Sequence, residues 1–482
     1  MFPALSVHWI ELTSGLIFSL AVIHTFSTKY FEHLAHTQPR HAGLWHLLGE
    51  VETVFGFWAM VLLAFIAIAH GWKPASDYLE TRRFVEPMFV FAIMVISASR
   101  PILQLVSDLV KKMAWAVPVQ AGVAHYFLGL SLIPLLGSFI TEPAAMTVAA
   151  LLLRDVIFSR GVSNKLRYAT LGVLFVNVSI GGTLTHFAAP PVLMVAAKWG
   201  WDTAFVFSTF GVKAAIAVLL NALAVSLLFR HELRAKANAG AKAAKARVPA
   251  ALVLINLAIL AAVVLSSHNP AVFMGLLLLF LGLAEAYRRH QDRLMLREGL
   301  MVAFFLAGLV VLGGQQQWWL EAALAQLDET TLFYGAAALT AITDNAALTY
   351  LGSQVEGVSE EFKYALVAGA VAGGGLTVIA NAPNPAGYSI LSGSFDEKSI
   401  NPLWLLLAAL PPTLVAVLCF RGLRGTPMEL IDLQAWGRWF ESLDRSFLFL
   451  LILPFVVGAV GLWSEWQRVR REKTTTRPVP PT

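Results

Sequence analysis

The chain has 482 residues, 57% of them apolar and 13% charged, with a formal net charge of +5. Soluble proteins carry about 25% charged residues, so a water-soluble enzyme or binding domain is excluded and an integral membrane protein is indicated. The single cysteine, Cys419, can build neither an internal disulfide nor an iron–sulfur site. It lies in an apolar run and reads as packing.

Many stretches reach the ~20 apolar residues that cross a bilayer. The first, 5–27, has no Lys or Arg before Lys29 and reads as a retained span, not a cleaved signal. Spans follow at 46–71 and 84–109. Stretch 119–154 carries a polar motif in its middle and reads as a re-entrant hairpin of two short arms with the motif at its tip. Spans 167–199 and 203–229 complete a first half, 1–229. A basic linker, 230–248, holds Arg230, Arg234, Lys236, Lys242, Lys245 and Arg247 against Glu232. The second half, 249–420, has spans at 249–267, 270–287 and 300–314, a second hairpin near 320–356, and spans at 362–393 and 402–420. Residues 421–482 add a span at 446–464 and a tail with Arg468, Arg470, Arg471 and Lys473. Non-helical backbone at membrane depth survives only where it is buried in protein or lines a cavity, so the hairpin tips are expected at an internal site.

Loop charge sets the orientation. Besides the linker and tail, segment 154–167 carries Arg154, Arg160, Lys165 and Arg167, and segment 288–298 carries Arg288, Arg289, Arg293 and Arg297; segment 315–330 has no base. These counts agree with eleven crossings, the N-terminus outside and the C-terminus cytoplasmic, in a bacterial-type inner membrane. Trp45, Trp72, Trp318, Trp319, Trp463 and Trp466 fall at span ends, as an interfacial aromatic belt requires. The basic linker suits an anionic leaflet better than nucleic acid. The fold expected is therefore an all-α polytopic membrane protein of about eleven transmembrane helices plus two re-entrant hairpins.

The polar motifs occur twice. Segment 138–147 (SFITEPAAMT) matches 340–349 (TAITDNAALT), with five of ten positions identical. Each copy is followed by a second matching pair, 181–191 (GGTLTHFAAPP) and 373–383 (GGGLTVIANAP), at offsets of 202 and 192 residues. On the charge-derived topology the two copies run in opposite senses, an inverted repeat about an axis in the membrane plane. Duplicated, Gly/Pro-interrupted polar segments in apolar sequence point to the substrate site of a secondary transporter.

Glu142 and Asp344 sit at matching positions of the two tips. A carboxylate at membrane depth is costly, and by default marks a functional site; it can alternate between a proton and a metal cation. Thr141, Thr343, Thr147 and Thr349 bring hydroxyls suited to a small hard cation. The runs Gly181-Gly182 and Gly373-Gly374-Gly375 should unwind their spans into two broken helices, freeing carbonyls and helix ends to face an ion. Thr183, Thr185, Thr377, Asn381 and Asn384 add side-chain oxygens. Packing glycines and carboxylates that cap or pair are the competing readings; Glu142-Pro143 in particular can simply start a helix. His186, where the second copy has Val378, is a proton carrier or a satisfied buried histidine. Lys213, mid-span, is expected to face a Glu or Asp as charge partner or proton competitor. Glu50 and Glu52 start a span beside His46, as inner-mouth residues or as a solvated helix start. His24, His33, His36, His41 and His46 have no metal-ligand spacing. No nucleotide fingerprint occurs, which argues against a primary pump, and nothing calls for a cofactor or an enzymatic reaction.

These residues resemble a family. Thr343-Asp344-Asn345 followed by Ala-Ala-Leu-Thr, with the later Gly-Gly-Gly-Leu-Thr and Asn-Ala-Pro, is similar to the ion transporter superfamily, and within it to the sodium/proton antiporters near the arsenite-permease branch. The resemblance implies a homodimer in lipid, each protomer having a scaffold and a transport unit with two hairpins and two broken helices. It implies an ion site of Thr343, Asp344, Asn345 and the Gly373–Gly375 break, matched by Thr141, Glu142 and the Gly181–Gly182 break. The transported species would be a cation, Na⁺, and a proton. The alternative is a small anion, arsenite or an organic anion, as in neighbouring branches; the Ser-Asn-Thr tip motif of the dicarboxylate branch is absent.

Overall fold

The computed structural model describes residues 3–116, 119–236, 247–324, 327–395 and 399–423. The span expected at 446–464, the basic tail, Trp463, Trp466, Lys242 and Lys245 lie outside them. Among the described residues the chain is helical, with no strand. Five of its helices are long and apolar enough to cross a membrane, or seven spans if two bent pairs each count as one. The other expected crossings, at 167–199, 249–267, 270–287 and 362–393, fall on shorter or broken helices.

The first half opens with α1 (Pro3–Thr37), α2 (Ala42–Gly49), α3 (Val51–His70) and α4 (Trp72–Glu80). Span 84–109, expected straight, is a pair, α5 (Val85–Ser97) and α6 (Arg100–Ala116), bent by 63°. Pro101 has no N–H for the Ser97 carbonyl, and the Ser97 hydroxyl bonds back to the Met94 carbonyl, so the break is local chemistry. The first hairpin is α7 (Ala121–Leu130), α8 (Leu132–Ile140) and α9 (Glu142–Val156), with a 43° bend between α7 and α8. Pro134 has no N–H for the Leu130 carbonyl, and the Asn177 side chain donates to that carbonyl at 2.7 Å. Gly129 faces Leu152 and Leu153 while Gly137 faces Ala145, so the arms are antiparallel and turn about Thr141. Thr141 is the one non-glycine residue with positive φ, 72°, among those described. Then come α10 (Asn164–Gly181), a 3₁₀ turn at Gly182–Leu184, α11 (Pro190–Trp199), α12 (Thr203–Val206), a π-helical turn at Phe207–Gly211, α13 (Val212–Leu228) and α14 (Arg230–Lys236).

The second half runs α15 (Ala250–Leu265), α16 (Pro270–Ala286), α17 (Leu296–Gly313), α18 (Gln317–Leu324), α19 (Glu329–Thr340), α20 (Asn345–Gly352), α21 (Glu360–Gly373), α22 (Asn384–Ser392) and α23 (Pro402–Gly422). Asp328 caps α19, accepting from the N–H and hydroxyl of Thr331, which holds its exposed carboxyl below the usual range. Segment 374–383 between α21 and α22 is not regular helix, as its Gly run and Pro383 predict.

The two halves share a packing register. Leu130, Pro134 and Ser138 of the first hairpin face Asn177, Gly181 and Thr185, each 47 residues further on. Phe333, Ala337 and Ala341 face Gly369, Gly373 and Thr377, each 36 residues further on. In both cases the first arm of the tip motif lies parallel to a broken helix, and a threonine beyond the break (Thr185, Thr377) donates to the arm's carbonyl (Ser138, Ala341) at 2.6 and 2.8 Å. The broken helices α10 and α21 themselves cross antiparallel: Ser179 donates to the Val371 carbonyl, and Gly375 rests on the Val176 backbone.

Connecting segments are tied in pairs. Glu232 accepts from the N–H and hydroxyl of Ser163, Gln104 and Asp108 hold Val248 and Arg247, Arg297 pairs with Glu50, and the Tyr168 hydroxyl accepts from the Asn401 N–H. A second set joins Tyr78 to the Val311 carbonyl, Arg421 to Glu329, and Lys363 to the face of Trp199.

Candidate ion-binding site

The site grows from the two tips and the two breaks. Asp344 caps α20: its Oδ1 accepts from the N–H groups of Ala346 (2.8 Å) and Ala347 (3.1 Å). It lines a cavity of about 30 Å³ with Glu52, Val302, Phe305, Val378, Ile379, Asn381, Ala382 and Pro385. A space of that size accepts one or two water-sized guests. Glu142, the first residue of α9, is fully buried. Its Oε2 accepts from Asn381 Nδ2 at 2.8 Å, while Oε1 has no hydrogen-bond partner. That carboxylate lies flat on Gly182, where any Cβ would collide with Oε1. Both acids therefore stand at helix N-termini, where the dipole favours the anion.

Asn381 joins the two acids. It is 1% exposed, its Nδ2 serves Glu142, its Oδ1 has no partner, and the residue lines the Asp344 cavity. Two further buried asparagines carry spare acceptors. Asn384 donates from Nδ2 to the carbonyls of Gly374 and Thr377, leaving Oδ1 unpaired. Asn345 donates its backbone N–H to Ala380, and its side-chain amide, unpaired at both ends, abuts Gly374 at the helix crossing. Leaving a buried acceptor unsatisfied costs about 1–3 kcal/mol. Glu142 Oε1 at the first tip and three amide oxygens at the second tip and second break are therefore buried oxygens without a compensating donor. Cation coordination is the chemistry such a set offers.

The other sequence candidates are placed as follows. The Thr183, Thr185, Thr343 and Thr377 hydroxyls donate to the carbonyls of Ile180, Ser138, Leu339 and Ala341, and Thr147 to Pro143; Thr349 bonds back to Asn345 and Ala346. Thr141 shares a hydrogen bond with Ser97 at 3.2 Å. None of these threonines lines the cavity; a hydroxyl within or just beyond a helix bonds readily to nearby backbone carbonyls. His186 bonds Thr203 through Nδ1 at 2.7 Å. Lys213 was expected to face a carboxylate. Its ammonium donates to the Tyr364 hydroxyl at 2.9 Å and lies 4.3 Å from that ring's centroid, a cation–π contact. His24 accepts from Trp58 Nε1–H at Nδ1, which leaves its Nε2–H to donate to the Leu48 carbonyl. Both its nitrogens are thereby satisfied, and among the described residues no three His, Cys, Asp or Glu side chains gather as a metal site. Sequence reasoning left Glu52 undecided and did not find Val302 or Phe305; no repeat or spacing ties these positions to residue 344.

An all-helical polytopic membrane protein with polar helix breaks and buried acids belongs to the transporters. Residues 9–423 match the family described as "Putative Na+/H+ antiporter", and the chain belongs to that family. A search of curated proteins finds no match. Among solved structures, the Alcanivorax borkumensis YdaH transporter, whose description notes an unusual topology, is similar over 80% of this chain and 98% of its own, with 14% identity and a TM-score of 0.40.

Proposed function

We propose that the protein is a secondary active antiporter exchanging a monovalent cation, Na⁺, for protons by alternating access. The observation that carries this reading is Asn381, whose amide nitrogen binds Glu142, whose amide oxygen is unpaired, and which lines the cavity beside Asp344. Two acids joined by one amide give a cation and a proton competing claims on the same few oxygens. The ion ligands in this reading are Glu142, Asp344, Asn345, Asn381 and Asn384 with the Gly181–Gly182 and Gly373–Gly375 breaks; Thr141, Thr183, Thr343 and Thr377 brace them, and His186 and Lys213 are outlying proton-coupling candidates.

The inverted repeat is supported by the shared register of arm and broken helix and by the antiparallel crossing of α10 and α21. Eleven crossings with the N-terminus outside are supported by the paired connecting segments. Every pair tied together joins two segments that charge counting assigns to one side: 104–108, 163, 168, 232, 247–248, 297 and 401 inside, and 78, 199, 311, 329, 363 and 421 outside. An inner-membrane homodimer is the assembly that goes with this reading.

The anion alternative has a specific observation against it. The N–H groups that would receive an anion at the start of α20 are already occupied by Asp344. Everted vesicles holding the protein should dissipate a ΔpH when Na⁺ is added. Failure with Na⁺, Li⁺ and K⁺ at acidic, neutral and alkaline pH, together with uptake of arsenite or a dicarboxylate, would replace this reading with the other.

A further inference from the structure

The cavity beside Asp344 has two kinds of wall. One is made by the tip and break residues Asp344, Val378, Ile379, Asn381, Ala382 and Pro385; the other by Glu52 of α3 with Val302 and Phe305 of α17. The second wall is a tightly packed helix pair. Gly308 sits directly on the Phe55–Gly56 backbone, and the rings of Phe55 and Phe305 meet edge-on with centroids 5.2 Å apart. Glu52 is one turn before Phe55 and Val302 one turn before Phe305, so the same faces that lock α3 to α17 present Glu52 and Val302 to the cavity.

Glu50 and Glu52 look alike in sequence but are used differently. Arg297 pairs with Glu50, at the N-cap of α3, whereas Glu52 lines a space whose other walls are apolar except for Asp344 and Asn381. A carboxylate there trades water for whatever polar guest shares the space. The buried, unpartnered Asn381 Oδ1 is in the same lining. Two carboxylate residues and one amide residue around about 30 Å³ offer hard oxygen donors for a small, largely dehydrated monovalent cation.

We propose that Glu52 is a further side-chain ligand of the transported cation, supplied by the α3–α17 wall opposite Asp344. This rests on the antiporter reading above. On the charge-derived topology Glu52 lies at the cytoplasmic end of α3, so it completes the shell for ions arriving from that side. It is left behind when the two walls part, and the cation is then held by fewer oxygens.

The test uses the purified full-length protein in detergent, with cation-induced thermal stabilisation titrated by NaCl against choline chloride at constant ionic strength. Glu52→Gln should leave the thermal midpoint in choline unchanged and raise the half-saturating Na⁺ concentration at least tenfold, with Glu52→Asp intermediate. In everted vesicles, where the cytoplasmic face is outward, Glu52→Gln should raise the apparent KM for Na⁺ and leave the maximal rate within twofold. A half-saturating concentration within twofold of wild type, or a lowered midpoint in choline with unchanged Na⁺ affinity, overturns the role of Glu52 and leaves the antiporter reading standing. If Glu52→Gln does not accumulate, Glu52→Asp carries the test and must shift half-saturation at least threefold. A wild-type protein with no response to Na⁺, Li⁺ or K⁺ overturns both.

Discussion

Asp344 does two jobs that substitution can separate. Its Oδ1 caps α20 through two N–H groups, and its carboxylate lines the cavity. Asparagine caps a helix about as well as aspartate, whereas alanine costs about 1 kcal/mol. Asp344→Asn is therefore expected to accumulate and melt like wild type while losing Na⁺-dependent proton movement, and Asp344→Ala to lose both transport and stability. Thermal melts beside vesicle assays decide the matter: an active Asp344→Asn removes Asp344 as the coupling acid. At this scale the placing of the two acids at the tips and of the glycines at the breaks was legible from the sequence, because these recur in both halves, whereas Asn345, Asn381 and Asn384 stand opposite Pro143, Ala189 and Val192 and have no counterpart. The hydrogen bond from Asn381 to Glu142 was not legible either, since nothing in a one-dimensional repeat says that a break of one half reaches the tip of the other. The contact of Lys213 with Tyr364 was not legible for a related reason. A buried ammonium can be received by an aromatic face and a hydroxyl as well as by a carboxylate, and Tyr364 is 151 residues away.

Among elements, the two breaks are close-approach points where a methyl group does not fit. A Cβ on Gly182 meets the Glu142 carboxylate, and one on Gly375 meets the Val176 backbone. The first obstacle is a side chain that can shift; the second is main chain and cannot. Gly375→Ala should thus lower the thermal midpoint more than Gly182→Ala, which should chiefly impair transport, with overpacking costs of about 1–3 kcal/mol. Gly393→Ala, which meets nothing within 4 Å, is the control and should be silent in both assays. Equal destabilisation by all three would show that the helix crossing does not set the packing. The Gly and Pro runs made both broken helices readable in advance. The bend between α5 and α6 was missed because a single Arg-Pro step after two serines is a weak signal inside an apolar stretch. The second tip also differs from the first: α20 has only 8 residues where α9 has 15.

For the whole molecule, the proposed topology assigns the tied segments to two sides of the membrane. Cys419 is buried, so single cysteines introduced elsewhere report cleanly. In intact cells a membrane-impermeant thiol reagent should label Trp72→Cys and Trp318→Cys and spare Arg160→Cys and Arg289→Cys; everted vesicles should give the reverse. Labelling of Arg160→Cys and Trp72→Cys from the same side would break the assigned topology. Counting by length alone finds five to seven candidate spans among the described residues; the proposed eleven also need α15 and α16, of 16 and 17 residues, and the two broken helices.

The bond between Asn381 and Glu142 spans 239 positions of the chain, and this has a consequence for biosynthesis. A chain emerges from its N-terminus and begins to organise before it is complete, so α9 is finished long before its partner exists. Until residue 381 leaves the ribosome, Glu142 has neither its amide donor nor the cover of the second broken helix, and a bare carboxylate is poorly tolerated in hydrocarbon. The first hairpin must therefore wait, hydrated or protonated, and settle only when the last third of the polypeptide arrives. Assembly of the ion site thus comes at the end of the folding sequence, and a truncated product has no means of closing it.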